Sequence, residues 1–572
     1  MYLSLTKTFV YVLIFLCFFS NFNVYSSNEK ILYSKKAISN YFSGIVSSRN
    51  NNNKLALKYL NNLRYLKNSH DQFNRELVFA LVQRQKIPEV FLYLKKIRKQ
   101  NINFFHANLL LGINYFLEEN YKKSANYFNS IIQTRKFSNL EKLIAQFLLN
   151  YIKVFENQSH EYKTVLNFIP NNFKKNFTLI NDAFVNCYLD SNKVDSAFLK
   201  LINPNTLNFT RYNFFYANFL VSKNRNNEAL KVLEKDFDIL DTNLLLHQAR
   251  SWLKKGKTNK IKTVFNCKNP NHLISEFFYL IANLHSSQKN YKLSNFFLNL
   301  SLYLNPNFTF NSALLGENYF HLKDYENSKK IYLKFDPKNQ EFDWHAKKRL
   351  ARIKSNLEND ESAINLLNKS FNELENPTAK NYYDLANFYK DFQKYKKAIE
   401  YYTEVLNKIN NEHPLYSKIL HRRGMSYERL KLWEKAEDDL IRSLTLVPEE
   451  PYVLNYLAYS WLERNINLEK SIEMLEMAFN KKSEDPYIID SLGWGLYLIG
   501  RYQEAEKFLQ KAVSLIPQDP IVNDHYADIL WKVNKNLQAN YFWNYVLNLE
   551  TTEEDMKNKI EKKLIFGIQD NS

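Results

Sequence analysis

Side chains with the chemistry for catalysis or metal binding are present in this 572-residue sequence, but they are scattered. Asp438-Asp439 and Glu449-Glu450 are adjacent carboxylates of a type suited to general acid and base work. They read as solvated helix-face or turn charges rather than as paired acids. The eleven histidines lie far apart. His413 and His421 fall in or near a turn, and His525 takes a helix position that faces its neighbours, so a structural role is expected of each. Of the three cysteines, Cys17 lies near the start and Cys187 and Cys267 are distant in sequence. With no Cys-x-x-Cys pair and no His/Cys cluster, a zinc site is not expected, and a disulfide framework has no support either. A Gly-rich phosphate loop, a Gly-x-Ser-x-Gly elbow and a His-Glu-x-x-His helix are all missing from the sequence. The expectation is a chain that is not an enzyme and needs no cofactor or metal.

The residues that do recur at fixed spacing are structural. Gly424, Ala458, Gly493 and Ala527 stand 34, 35 and 34 residues apart. A second small residue follows at Ala436, Ser471, Ala505 and Ala539, and a bulky one at Leu440, Leu475, Leu509 and Trp543. Pro448 and Pro517 close two of the units. Small residues at two fixed places let paired helices approach closely, the large one fills the gap, and proline ends the second helix. The pattern strongly resembles the tetratricopeptide repeat family, which implies an all-α, right-handed solenoid of antiparallel helix pairs. One such pair cannot bury its apolar face alone, so its stability comes from neighbours.

Weaker copies continue upstream. Gly316 and Ala282 keep the 34-residue period, and Ala386 with Ala398, Ala217 with Ala229, and Gly112 with Tyr121 and Phe128 mark others. The expected organisation is a leader at 1–26, degenerate helical repeats at 27–205, a middle array at 206–374, a clear array at 379–550 and a capping helix at 551–572. The turn Glu375-Asn376-Pro377-Thr378 is the expected break in the second half. Only 9 glycines and 13 prolines argue against a β-rich or collagen-like chain.

Residues 1–26 read as a secretory signal. Lys7 is their only charge, Phe9 to Phe19 is an unbroken apolar run, and Val24-Tyr25-Ser26 suits cleavage before Ser27. Eleven apolar residues are short of the roughly 20 that span a bilayer, although an uncleaved anchor stays open. Cys17 follows Phe15-Leu16, a poor setting for lipid attachment. Export to a periplasm is therefore expected. The net charge of +19 is uneven, because the first 416 residues carry 58 Lys and Arg against 34 Asp and Glu. That basic front either meets an anionic partner, such as a membrane face or an acidic polymer, or reflects a lysine- and asparagine-biased composition. Nucleic acid fits the charge but not the leader.

In the family, positions 2, 5, 9 and 12 of each first helix line the inner wall. Counted from Pro451 these are Tyr452, Asn455, Tyr459 and Leu462. From Pro486 they are Tyr487, Asp490, Trp494 and Tyr497, and from Pro520 they are Ile521, Asp524, Asp528 and Trp531. The resemblance implies an aromatic trough with three carboxylates, open to an extended peptide or a helix carrying basic residues, although the rings could equally pack within the array. Asp524 and Asp528 are expected to face the groove. The sign is wrong for a free C-terminal carboxylate, since positions 5 and 9 lack the Lys, Asn and Arg set that grips one. Residues 451–549 also resemble the end of exported bacterial repeat proteins, among them the outer-membrane lipoprotein adaptor of a carboxyl-terminal processing protease. The shared segments are Asn455 to Trp461, Asp490 to Trp494, and His525 to Trp531 with Trp543. This resemblance implies an envelope scaffold whose protein partner is of the protease or cell-wall-hydrolase kind. The alternative is a module for envelope polysaccharide or lipid that works through the basic N-terminal region.

Overall fold

The computed structural model describes residues 34–568 except 98–102, 160–170, 203–209, 236–239, 241–242 and 339. The expected leader lies outside the described residues. Every regular element among them is a helix, and consecutive helices pair antiparallel, as in Pro451–Glu463 with Leu468–Lys481, Pro486–Leu498 with Tyr502–Leu515, and Pro520–Lys532 with Asn536–Leu547. No helix among these residues is long and apolar enough to cross a membrane.

Local sequence sets where these helices begin. Pro451, Pro486 and Pro520 each open a first helix, where a fixed φ and a missing N–H cost nothing. Asp485 accepts from the backbone N–H of Tyr487 (3.1 Å) and Ile488 (3.3 Å), and Asp519 does the same for Ile521 (3.0 Å) and Val522 (3.2 Å). Both carboxylates satisfy donors that the helix leaves free and sit at the positive end of its dipole. Thr378 and Asn381 form a reciprocal cap at the start of Ala379–Asp391.

The turn inside each pair needs a left-handed residue. Gly256 and Gly500 supply it at φ 67° and 81°, but elsewhere Glu119, Asn224, Lys289, Lys323, Lys431, Asn465 and Asn534 take φ between 55° and 64°. A backbone bond spanning the turn closes it each time, as from Asn120 N to Tyr115 O (2.8 Å) and from Lys535 N to Leu530 O (2.8 Å). The chain thus builds its turns with few glycines.

The two helices of a pair are locked by the small and large residues. A Cβ placed on Gly493 would stand 2.7 Å from Leu509 Cγ, one on Gly316 would stand 2.7 Å from the Tyr332 ring, and one on Gly112 would overlap the Phe128 ring. Leu509, Tyr332 and Phe128 are all buried. Ala458, Ala505, Ala527 and Ala539 are fully buried in the same register, as is Trp543.

The chain divides into two compact units, one formed by residues before 354 without 238–242, the other by 238–242 with the residues from 354 onward. In the first unit the superhelix turns back on itself. Helix Asp71–Gln83 packs on helix Tyr291–Leu304, with Phe79 stacked on Phe296 at 5.6 Å and Gln83 donating to Lys292 O at 2.8 Å. Phe147 meets Phe277 at 5.7 Å in the same way. An inner wall free along its whole length, as the sequence suggests, is therefore not found here: the unit fills its own interior. Arg211 pins that interior, bonding Glu276 in bidentate fashion (2.8 and 2.7 Å) while its guanidinium lies 3.7 Å over the Tyr279 ring.

Cys187 and Cys267 form a disulfide, with their Cα atoms 5.9 Å apart. This corrects the expectation of no bridge. Eighty residues separate them, but the helical stack folds that length back and seats the turn after Thr258–Val264 beside helix Asn171–Leu189. Asp439 is a second correction: it is buried, and Arg423 donates to both its oxygens at 2.7 and 2.8 Å.

Two measurements test this packing. Gly493→Val forces Leu509 to move and should lower the unfolding free energy by about 1–3 kcal/mol in urea titration. Gly424→Ala, whose Cβ would lie 3.1 Å from Leu440, should cost less. Replacing Cys187 and Cys267 with serine should lower the stability of the first unit by about 2–5 kcal/mol, read as a fall in its thermal midpoint.

Candidate binding surface

The inner positions of the C-terminal unit separate into three groups. Tyr452, Tyr487 and Ile521, each at position 2, are 47%, 57% and 52% exposed and recur one unit apart. The tyrosines are held from the far end. Tyr452 Oη donates to Asp485 at 3.2 Å, and Tyr487 is hydrogen-bonded to Asp519. Each ring therefore spans the seam to the carboxylate that caps the next unit, which fixes its orientation and leaves a face open.

Asn455, Tyr459, Trp494, Tyr497, Asp524 and Trp531 are half-buried. Tyr459 is hydrogen-bonded to Glu463, a turn along its own helix. Trp494 is sandwiched: Tyr497 stacks on one face at 4.7 Å and His525 on the other at 4.1 Å, with ring planes within 11° of parallel. Trp494 is thus packed inside the array rather than offered whole to a ligand. Trp531 lies against Trp543 at 5.4 Å, with Gly567 against its indole.

Leu462, Asp490 and Asp528 are buried. Both carboxylates belong to a charge ladder that crosses the seams. His525 Nδ1 lies 2.9 Å from Asp490 Oδ2. One step further, Lys563 from the terminal helix Glu554–Phe566 donates to Asp524 Oδ1 at 2.8 Å and to both oxygens of Asp528 at 2.8 and 2.7 Å. Trp543 Nε1 also donates to Asp528 at 3.0 Å. The acidic trough expected at Asp524 and Asp528 does not stand open, because the chain's own Lys563 ammonium occupies both carboxylates. A buried carboxylate pair without a cation would carry a large desolvation penalty, and Lys563 removes it. Ile560, fully buried on the same helix, seats the segment apolar side down.

These contacts shift the titrations. Burial opposes the charged form of His525, but the Asp490 carboxylate, helped by Asp524 and Asp528, outweighs it and holds its pKa above the usual imidazole value. Burial and then the Asp524 charge push Asp528 up to about 6, against the pull of Lys563. His421 goes the other way. It lies within helix Tyr416–Arg429 rather than in a turn, and burial, then Arg422, Lys418 and Lys390, lower it to about 4.

Lys563 is the residue that sequence reasoning did not single out. The signal was available: 35 residues separate Asp528 from Lys563, and 35 separate Asp490 from His525. A residue one repeat later sits on the adjoining helix. No group of His, Cys, Asp and Glu able to hold a metal ion occurs among the described residues.

Against this geometry, residues 379–407 and 492–519 match the tetratricopeptide repeat family. Tetratricopeptide repeats are therefore present in the C-terminal unit. Over 132 residues the chain is 26% identical to a TPR repeat-containing protein of Pseudomonas aeruginosa, a stretch covering 23% of this chain and 20% of that one. The chain thus matches about a fifth of the length of this curated relative. Among solved structures it is similar to a thermophilic TPR protein of Thermus thermophilus, with 17% identity, 33% of this chain and 99% of that chain covered, and a TM-score of 0.29. It is also similar to a chain of the APC/C hetero-tetramer Cut9-Hcn1, with 12% identity, 93% and 96% covered, and a TM-score of 0.38.

Raised pKa values of His525 and Asp528 mean that the folded state holds their protons more tightly than the unfolded chain. The His525 contribution is complete below about pH 6.5, its unfolded value, and is lost as pH rises through the higher folded value. The Asp528 term falls in the same direction between its unfolded value and about 6. Urea unfolding followed by tryptophan fluorescence, which five of the seven tryptophans make a report on the C-terminal unit, should show stability declining as pH rises from mildly acidic to above neutral. His525→Gln should flatten the upper part of that curve.

Proposed function

We propose that this chain is a non-enzymatic scaffold of the bacterial cell envelope that holds a protein partner on the inner wall of its C-terminal repeats. The observation that carries the reading is the row Tyr452, Tyr487 and Ile521, exposed at one-unit intervals along the face that repeat proteins of this kind use. Two of the three are aromatic, fixed by a hydrogen bond to the following loop, so little side-chain entropy is lost when a partner covers them. With Asp524 and Asp528 already bonded to Lys563, the partner on this row is read by apolar contact and shape more than by opposite charge.

Export to the periplasm is supported by the leader-like run at Phe9 to Phe19 and by the Cys187–Cys267 bridge, because disulfides persist in oxidising compartments. The likeness of residues 451–549 to the outer-membrane lipoprotein adaptor makes a carboxyl-terminal processing protease, or a cell-wall hydrolase delivered to it, the partner class to try first.

The test is recovery of partners from the chain's own envelope extract after crosslinking, for the wild type and for Tyr452→Ala/Tyr487→Ala/Ile521→Ala, at low and at high salt. The expected result is an envelope protein bound at both salt concentrations and weakened about 30-fold or more in the triple variant, in line with loss of two hot-spot contacts. A partner retained by the triple variant, or one lost steeply as salt rises, would overturn the reading.

A further inference from the structure

The N-terminal unit contains a concavity that the proposed scaffold role does not use. Where the unit turns back on itself, the loop at Asn50–Asn53 comes beside the end of helix Asp71–Gln83 and beside the turn Leu322–Asp324, and a cleft of about 420 Å³ opens between them. That is within the size range of small-ligand sites. Two of its walls are tied together through Lys292, whose Nζ donates to Ser48 O at 3.2 Å and whose carbonyl accepts from Gln83. The walls are therefore brought together by the fold and are not a loose surface groove.

Lys54, Arg84, Lys323 and Lys330 line this cleft, and none of them has a carboxylate partner among the described residues. Some cations elsewhere in the same unit are paired, as Arg225 is with Asp195 and Glu228 and Lys223 with Asp190. Two carboxylates share the lining. Asp324 is occupied in capping helix Tyr325–Tyr332, accepting from Asn327 N at 3.2 Å and Asn327 Nδ2 at 2.7 Å, whereas Glu326 is exposed and unpaired among the described residues. The cleft thus keeps a cationic excess that no described residue answers.

The rest of the lining is mainly carboxamide. Asn50 and Asn51 make no side-chain hydrogen bond among the described residues, and Asn51 is held in the left-handed region at φ 62°. Asn53 donates its Nδ2 to Asn51 O at 3.3 Å, which leaves its Oδ1 buried with no partner.

We propose that this cleft binds an acidic sugar, its carboxylate or phosphate set among Lys54, Arg84, Lys323 and Lys330 and its hydroxyls paired with Asn50, Asn51 and Glu326. A bare anion would use the cations and leave the carboxamides and Glu326 unmatched. An acidic peptide would bring carboxylates against Glu326 and Asp324 with few donors to offset them. A polyhydroxyl body carries donors and acceptors at every carbon, which is what a mixed lining of amides, cations and one free carboxylate matches. The site lies wholly within the first unit and does not depend on the Tyr452, Tyr487 and Ile521 row.

Calorimetric titration of the full chain with four probes tests this: a galacturonic acid trimer, a neutral galactose trimer, inorganic phosphate and triglutamate. The acidic trimer should bind at least about tenfold more tightly than each of the others. Arg84→Gln and Lys330→Gln should each weaken it about tenfold, the loss of one charge-assisted bond, and Asn50→Ala should weaken it by a smaller factor. Lys153→Gln, an exposed change outside the cleft, should leave it unaltered. Arg84 and Lys330 are exposed, so thermal melts of these variants should coincide with wild type. Equal binding of phosphate or triglutamate would overturn the sugar assignment, and failure of the acidic trimer to bind, or indifference to Arg84→Gln and Lys330→Gln, would overturn the site.

Discussion

The close approach of two antiparallel helices, one giving up a side chain and the other filling the space, is the constraint on which the rest of the structure depends. Gly493 under Leu509, Gly316 under Tyr332 and Gly112 under Phe128 are the same joint at different points along the chain. Interiors pack at crystal-like density, so a joint of this kind admits one spacing and one crossing of the pair. Repeating it every 34 or 35 residues fixes the rotation from one pair to the next and so decides which positions become an inner wall.

Because the joint repeats, contacts across the seams repeat as well. Asp490 meets His525, and Asp528 meets Lys563, each pair one repeat apart. The last step of this ladder uses the terminal helix, which enters where another first helix would stand. The final repeat would otherwise expose an apolar face and two uncompensated carboxylates, and Ile560 with Lys563 covers both. The same ladder reduces the inner wall to its exposed edge, so the surface left for another molecule is less acidic than the residue types suggest.

The first unit shows what happens when such an array runs long enough to curl. Its early helices reach those some two hundred residues later, the disulfide and the Arg211–Glu276 pair hold the interior, and the polar cleft remains at the closure. An inner wall with an exposed edge and a closed unit with a side cleft thus come from one kind of helix pair.

Much of the helical plan was legible in the sequence, since small and large residues at a 34-residue period state the joint directly and Pro451, Pro486 and Pro520 mark helix starts. The turns were less so: the left-handed residues at Glu119, Lys289 and Lys431 have no glycine to signal them, although they stand 34 residues from Gln85, Lys323 and Asn465, which share that conformation. The sequence by itself determined the repeating pair, the all-helical class and which residues of each first helix share a face, because these follow from periodicity along one chain. Only the tertiary structure decided whether that face is free. Lys563 closing on Asp524 and Asp528, Trp494 packed against Tyr497 and His525, Cys187 bonded to Cys267, and Arg84 and Lys323 lining one cleft all depend on segments that meet in space. Where they meet is set by the sum of many small rotations between pairs, and no single stretch of sequence records that sum.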